Sequence, residues 1–416
     1  MLHTLSSLQD VQEEYRWFEQ MRATQPVWLD ESSECWHVFR YEDVLRISTD
    51  YATFSSERRE RDRRRFNNRS SQAPSLLAMD PPQHRQYRNL VSPSFTPRAL
   101  APLSGRISAI VQELLDEVCP QGSMDMIADL AYPLPTTVIA ELLGVPSKDR
   151  PMFKHWADEL FSRQLSDAEL FHSEEAELEK RADFQRANQA MREMETYFEQ
   201  ILDERRHQPQ DDLMSELLAA EVEGARLTGD ELLSFCILLL LAGHVTTTNL
   251  LGQAILCLDA HPEAMEQLRA KPELTASAIE EVLRYASPVW RLARVTKQAV
   301  EVGGTTIPAD AVVFAWLASA NRDGEQFPDP ERFDITRSPN RHVAFGHGIH
   351  FCVGAPLARL EAGIALPMML EQLPHLRRAR NAPLELLDSR FLFGVKKLPV
   401  TFSTSASLQS VGRRAE

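Results

Sequence analysis

The chain has 416 residues, more than one hydrophobic core ordinarily serves, so length by itself suggests two or three domains. Its 43% hydrophobic and 25% charged residues argue against a disordered, collagen-like or disulfide-rich protein. A net charge of −15 argues against a general nucleic-acid binder, which needs surplus Lys and Arg to neutralise phosphates.

Met1 to Tyr15 carries Asp10, Glu13 and Glu14 and lacks the basic start and apolar run of a signal peptide, so no export is expected. Short strands are expected at Val27 to Leu29 and Trp36 to Phe39. Further along they fall at Ala293 to Val295, Val300 to Val302, Val312 to Trp316 and Pro399 to Phe402, several beside Gly or Pro punctuation such as Gly303-Gly304 and Pro308. Two segments read as loops: Ser55 to Ser75, whose Glu57 to Arg65 portion holds six arginines and three acids, and the acidic stretch around Ser173 to Glu179. Apolar residues recur at three or four in Arg106 to Glu117, Arg186 to Glu204, Glu231 to Leu258, Ala276 to Tyr285 and Pro356 to Leu373, which predicts helices. The greasiest stretch, Phe235 to Leu251, is broken by Gly243, His244, three threonines and Asn249. Its unbroken part, Phe235 to Ala242, is too short to span a bilayer, so it reads as a buried helix.

The fold class is therefore mainly α with small β-sheets. No internal repeat and no Ser/Gly linker divides the chain, so one large domain over 1–416 is preferred to the length prior, with 404–416 a flexible tail. The five cysteines, Cys35, Cys119, Cys236, Cys257 and Cys352, are odd in number and lack CxxC spacing. That reads as reduced thiols in a cytoplasmic protein, most of them inert core residues.

Four segments carry chemistry. Asp80-Pro81-Pro82-Gln83-His84-Arg85-Gln86-Tyr87-Arg88 puts His84 and Arg88 four apart on a helix opening near the prolines. Two cations on one face are unfavourable unless an anion joins them; a merely solvated face is the plain alternative. In Ala242-Gly243-His244-Val245-Thr246-Thr247, Gly243 and Thr246 share a face, so a hydroxyl can stand beside a turn with room for a small ligand. The alternative is a packed helix whose threonine bonds its own backbone. Glu281 and Arg284 are three apart and able to pair, which at a surface contributes well under about 1 kcal/mol.

The fourth segment is Phe345-Gly346-His347-Gly348-Ile349-His350-Phe351-Cys352-Val353-Gly354, followed by Ala355-Pro356. Pro in a first helical turn sacrifices no hydrogen bond, so a helix starts just after the cysteine. Free N–H groups and the positive helix end then face the sulfur and favour thiolate, which makes Cys352 a metal-ligand candidate. Two other readings compete: a zinc cluster of His342, His347, His350 and Cys352, or a buried cysteine.

This last stretch resembles the cysteine-ligand loop of the cytochrome P450 family, in which Phe, Gly, a basic residue, Cys and Gly stand at fixed offsets. The resemblance runs from about Pro26 to Phe402, with the motifs in the family's order. It implies haem b with Cys352 as axial ligand, His350 as a propionate contact, Phe345 packed near the sulfur and Gly354 closing the loop. Thiolate donation favours O–O cleavage, the reason a sulfur serves rather than an imidazole. It further implies propionate contacts from His84, Arg88 and Arg294, and a buried structural network of Glu281, Arg284 and Arg332. Ala242, Gly243 and Thr246 become the oxygen-binding groove, Thr246 hydrogen-bonding dioxygen and relaying protons. Where the family carries an acid before that threonine, this chain has Val245, and no carboxylate occurs between Glu231 and Asp259. Protons must then arrive through water, substrate hydroxyls or His244.

No complete GxGxxG is present, since Phe351 stands where a third Gly would follow Gly346 and Gly348. Electrons from NAD(P)H are therefore expected through separate proteins, a ferredoxin or flavodoxin with its reductase. Family geometry lines the substrate pocket with the loop around Arg58 to Arg69, with Val245, with Val289 to Leu292, and with Leu392 and Phe393. The arginine-rich loop suggests an anionic or carrier-protein-bound small molecule, a solvated loop being the alternative. The expected activity is hydroxylation or epoxidation of an apolar, polyketide- or macrolide-like scaffold, without nucleic-acid or membrane partners. A peroxide-using or non-oxygenating haem-thiolate enzyme is the rival.

Overall fold

The computed structural model describes residues 7–57, 75–149, 151–153, 155, 156, 159, 174–222, 224, 226–387 and 389–404. Its principal helices are α1 (Leu8–Thr24), α2 (Tyr41–Thr49), α3 (Gln83–Val91), α4 (Leu103–Val118), α5 (Pro133–Leu142), α6 (Glu174–His207), α7 (Gly229–Ala260), α8 (Thr275–Tyr285) and α9 (Ala355–Gln372). Local chemistry sets their ends. Ser7 and Asp10 form a reciprocal cap on α1, as do Thr228 and Glu231 on α7. Pro356 lies in the first turn of α9.

All five expected helices form, within a few residues of their expected ends, except that α6 starts at Glu174. The acidic stretch read as a loop is thus the opening of α6, because Glu, Ala, Leu and Lys are good helix formers whose charges tolerate solvent. The loop around Arg58 to Arg69 and the tail beyond Thr404 lie outside the described residues.

The main sheet comprises β1 (Val27–Asp30), β2 (Cys35–Val38), β3 (Phe54–Ser55), β4 (Arg291–Thr296) and β5 (Val312–Trp316), in the order β1-β2-β5-β4-β3. The pairing of β2 with β5 is parallel and the rest antiparallel. Val300–Val302 and Thr305–Ile307 form a hairpin turning on Gly303 and Gly304, both at positive φ. Near the C-terminus, Pro399–Thr401 pairs with Ser123–Asp125 and with Arg377–Arg378.

The largest apolar core extends from Val11 to Phe402, with a smaller one under the main sheet, so both ends of the chain contribute to one unit and the multi-domain prior fails. At its centre, α7 packs against α5, α6, α8 and α9. Though long and apolar enough to cross a membrane, α7 is largely buried by protein, as expected. None of the five cysteines forms a disulfide, and burial pushes the Cys236 and Cys257 thiols up to about 12.

Candidate functional site

The loop before α9 is wound so that its backbone, more than its side chains, presents Cys352. Gly346 and Gly348 adopt φ of 69° and 72°, conformations that cost a side-chain-bearing residue strain. The Cys352 N–H donates to the Phe345 carbonyl at 2.9 Å, closing the loop. Gly348 is also a close approach: a Cβ there would stand 2.7 Å from the Ser48 carbonyl oxygen at the end of α2. His347 points away and accepts from the Gly348 N–H at 2.9 Å, capping the turn Gly348–His350. Burial raises the Cys352 thiol pKa, while N–H groups of Gly354 and Ala355 and the guanidinium groups of Arg88 and Arg359 pull it down. The helix-start geometry anticipated from Pro356 is therefore present.

Helix α8 holds this loop through two adjacent acids. Glu280 takes both nitrogens of Arg359, at 2.7 and 2.8 Å, and His342 Nε2 at 2.9 Å. Burial opposes ionisation of Glu280, but these partners outweigh it and hold the carboxyl at about 2. His342 Nδ1 accepts the Ala344 N–H, which leaves the ring proton on Nε2, aimed at Glu280. The histidine is thus committed to a carboxylate, and no metal-binding cluster exists among the described residues. The Arg359 guanidinium also lies 4.6 Å over the Phe345 ring, fixing Phe345 beside the loop.

Glu281 and Arg284 are wholly buried and paired through two bonds of 2.8 Å. Arg284 spends its remaining donors on the carbonyls of Asn321, Pro330 and Arg332, and Glu281 also accepts from the Asp334 N–H and Asn340. The expectation for Arg332 needs correcting. Its side chain is 70% exposed, and only its carbonyl enters the network. The second guanidinium of the network is that of Arg337, 10% exposed and 3.3 Å from Glu281. The turn at Pro330–Arg332 points its carbonyls inward, and its side chain must then point out.

The basic residues do converge. His84 and His350 have ring centroids 4.2 Å apart, and both are lowered by burial and by neighbouring cations, His350 to about 3. Burial lowers Arg294 to about 10, and among the described residues it donates to the carbonyl of Ala293. Arg88 and the buried His84 Nε2 make no hydrogen bond to the described protein. Among the described residues the carboxylate that meets this cluster is Asp80, already engaged by Ser55, Ser56 and Lys297. Ser56 in turn bonds His350 Nε2 at 2.8 Å. Sequence reasoning missed Ser56 and Lys297, which carry no motif and meet the cluster only through folding of β3 and β4.

On α7, Ala242 is exposed and Thr246 half-buried, with the Thr246 hydroxyl donating to the Ala242 carbonyl at 2.8 Å. The room left by Gly243 is used differently from the expectation: a Cβ there would meet Ile139 of α5 at 2.7 Å, so the glycine admits a neighbouring helix. His244 is fully buried, bonded to the Leu240 carbonyl and edge-on to Tyr132. Two residues before Thr246, it lies roughly 200° around the helix and does not face the hydroxyl.

Val245, Val289 and Leu392 meet as expected, joined by Leu387, which sequence reading missed. A bridge between Val289 and Leu392 closes this apolar wall. Leu292 lies next to the cysteine loop, 3.8 Å from the Cβ position of Gly346. Phe393 departs from expectation, because alternation across the bridge turns it away to a tilted contact with Trp290 at 5.1 Å in the main core.

Comparison with known proteins agrees with this geometry. The family model described as Cytochrome P450 matches residues 9–402. The chain is 42% identical over 388 residues to cyclomarin C epoxidase CymV of Salinispora arenicola, covering 93% of this chain and 95% of that protein. It is 39% identical over 392 residues to the erythromycin C-12 hydroxylase of Saccharopolyspora erythraea, covering 94% of each. The crystal structure of substrate-free CYP109E1 from Bacillus megaterium superposes with a TM-score of 0.87 at 41% identity, over 94% of this chain and 98% of that one. That family implies a haem iron and electrons supplied by redox partners. With a cysteine loop opening a helix, a buried Glu–Arg network behind it and a converging set of cations, the chain belongs to the cytochrome P450 family.

Proposed function

We propose that this cytochrome P450 monooxygenase places one atom of dioxygen on an apolar natural-product skeleton, as a hydroxyl or an epoxide, with electrons from NAD(P)H delivered by a ferredoxin or flavodoxin. The single observation that carries the haem reading is the uncompensated basic cluster. Among the described residues, four basic side chains, His84, Arg88, Arg294 and His350, gather around one carboxylate that already has three partners, and burial depresses their basicity. Such a cluster calls for a dianionic partner, and a porphyrin's two propionates have that charge. Cys352 supplies the sulfur ligand, held by N–H groups of Gly354 and Ala355.

When bound, the haem supplies the iron that reductively activates dioxygen. The chain's own residues position and exclude. Thr246 keeps its hydroxyl proton directed at the Ala242 carbonyl, leaving its oxygen lone pairs to accept. Val245, Val289, Leu387 and Leu392 offer a substrate only apolar surface and keep water from that side. No acid on α7 stands beside Thr246, and His244 faces away, so protons reach the hydroxyl through water or through the substrate's own hydroxyls. The epoxidase and hydroxylase relatives support the substrate class.

The reduced, carbon-monoxide-bound protein should show the red-shifted Soret band of thiolate ligation, lost in Cys352→Ala; its presence in that variant refutes the assignment. The missing acid favours one second reading, a peroxide-driven enzyme. Product formation that requires both reductant and dioxygen excludes it.

A further inference from the structure

The two adjacent acids of α8 approach the cysteine loop in different ways. Glu281 is wholly buried, and its partners belong to a network that fastens the segment from Asn321 to Asn340. Glu280 is 29% exposed and binds Arg359, itself 37% exposed, through two hydrogen bonds. Arg359 stands in the second turn of α9, near the helix end that Cys352 precedes. Its guanidinium meets the Glu280 carboxylate on one side and lies 4.6 Å over the Phe345 ring on the other. Phe345 in turn supplies the carbonyl that accepts the Cys352 N–H. A full positive charge therefore packs against the residue that clasps the sulfur's own backbone.

Arg359 and Cys352 also act on each other. The guanidinium is raised first by its hydrogen bonds to Glu280 and further by the sulfur. Burial raises the thiol, and Gly354, Arg88, Ala355 and Arg359 pull it down. Of those two cations, Arg88 is placed to meet a haem propionate, whereas Arg359 is met by a carboxylate of the protein itself. His342 offers that carboxylate an N–H from Nε2, since its Nδ1 accepts the Ala344 N–H. The charges beside the sulfur are thus a cation on the near side and an anion behind it. The Glu281 network already restrains the loop mechanically, so the second pair adds charge where restraint is present.

We propose that Glu280 and Arg359 set how strongly the Cys352 sulfur donates to the haem iron, and thereby the potential at which the iron is reduced: Arg359 raises it and Glu280 restrains it. The proposal rests on the haem-thiolate reading. The step concerned takes one electron from the redox partner and turns iron(III) into iron(II); no bond breaks and no proton moves, so the site gains one negative charge. A cation near the sulfur stabilises that added charge and a carboxylate opposes it. Solvent screens a part-exposed pair, so each charge should change the reduction equilibrium by about two- to five-fold, roughly 20–40 mV for one electron.

The test is a spectroelectrochemical titration of substrate-free, low-spin holoenzyme, with the infrared C–O stretch of the reduced carbon-monoxide complex as a second readout. Arg359→Met should lower the potential by that amount and lower the stretch, because a sulfur relieved of the cation donates more. Glu280→Gln keeps the shape, leaves the Arg359 charge unbalanced and should raise both. The double variant should fall between the two. Arg359→Lys keeps the charge while losing the planar contact with Phe345, and should stay near the wild type. A pair that only clamps the loop would shift both single variants in the same direction and make Arg359→Lys resemble Arg359→Met. Either result, or no shift in the single variants, overturns the proposal. If Arg359→Met does not retain haem, the other two variants decide: the potential must rise in Glu280→Gln and hold in Arg359→Lys. A normal thiolate Soret band without opposed shifts sinks this inference alone, whereas absence of that band sinks the haem-thiolate reading.

Discussion

Glu361 lies on α9, buried to 1% exposure, and its Oε2 makes no hydrogen bond among the described residues. Burial alone pushes this carboxyl from 4.5 up to about 8, so the folded protein holds a proton that the unfolded chain releases. Between those two values the native state binds more protons, and stability must fall as pH rises. Each pH unit costs about 1.4 kcal/mol. That amounts to roughly 3 kcal/mol by neutral pH and nearly 5 kcal/mol across the window, a large share of the ~5–15 kcal/mol that folded domains possess. Glu361→Gln keeps the shape and removes the titration. The variant should match the wild type near pH 4.5 and become progressively more stable towards pH 8, with a constant difference above it. Urea unfolding of the two holoenzymes at several pH values measures this directly. Parallel stability curves would show that the carboxyl is ionised or hydrated in the folded protein, and would refute the reasoning.

Arg332→Ala should change unfolding free energy by no more than about 0.5 kcal/mol, whereas Arg337→Ala, which leaves Glu281 short of a buried partner, should cost about 3 kcal/mol; denaturant titration of both separates them. Gly348→Ala imposes a side chain on a left-handed backbone 2.7 Å from the Ser48 carbonyl. It should cost about 1–3 kcal/mol and speed haem transfer to a scavenging protein. Val245→Glu inserts a carboxyl into an apolar wall beside Thr246 and should lower the ratio of peroxide released to product formed. An unchanged ratio would mean that the residue before the threonine has no part in proton supply.

Much of this architecture could be read from the sequence wherever one periodic segment decided its own structure. The α7 and α8 patterns placed both helices within a few residues, and the cysteine loop announced itself through closely spaced glycines and Pro356. What escaped depends on contacts between distant segments. Helix α5 carries Pro133 and Pro135 in its first turn, and its apolar residues face α7 and α4 on two sides, which blurs any one-sided stripe. Gly243 shows the same limit, since only the position of Ile139 reveals that a helix fills its missing side chain.

Arg332 and Arg337 state the limit most sharply. Arg332 does stand beside Glu281 and Arg284 as the resemblance implies, yet what its segment contributes is two main-chain carbonyls, those of Pro330 and Arg332. Every residue possesses a carbonyl, so its use leaves no mark on residue type. Arg337 also donates to the carbonyls of Pro328, Asp329 and Arg332, which means that one guanidinium both closes the turn and neutralises Glu281. A buried carboxylate requires its charge to be met, while the loop requires its inward carbonyls to be satisfied. Arg337 answers both demands at once, and for that reason the stability of the cysteine loop should depend on it rather than on its more visible neighbour.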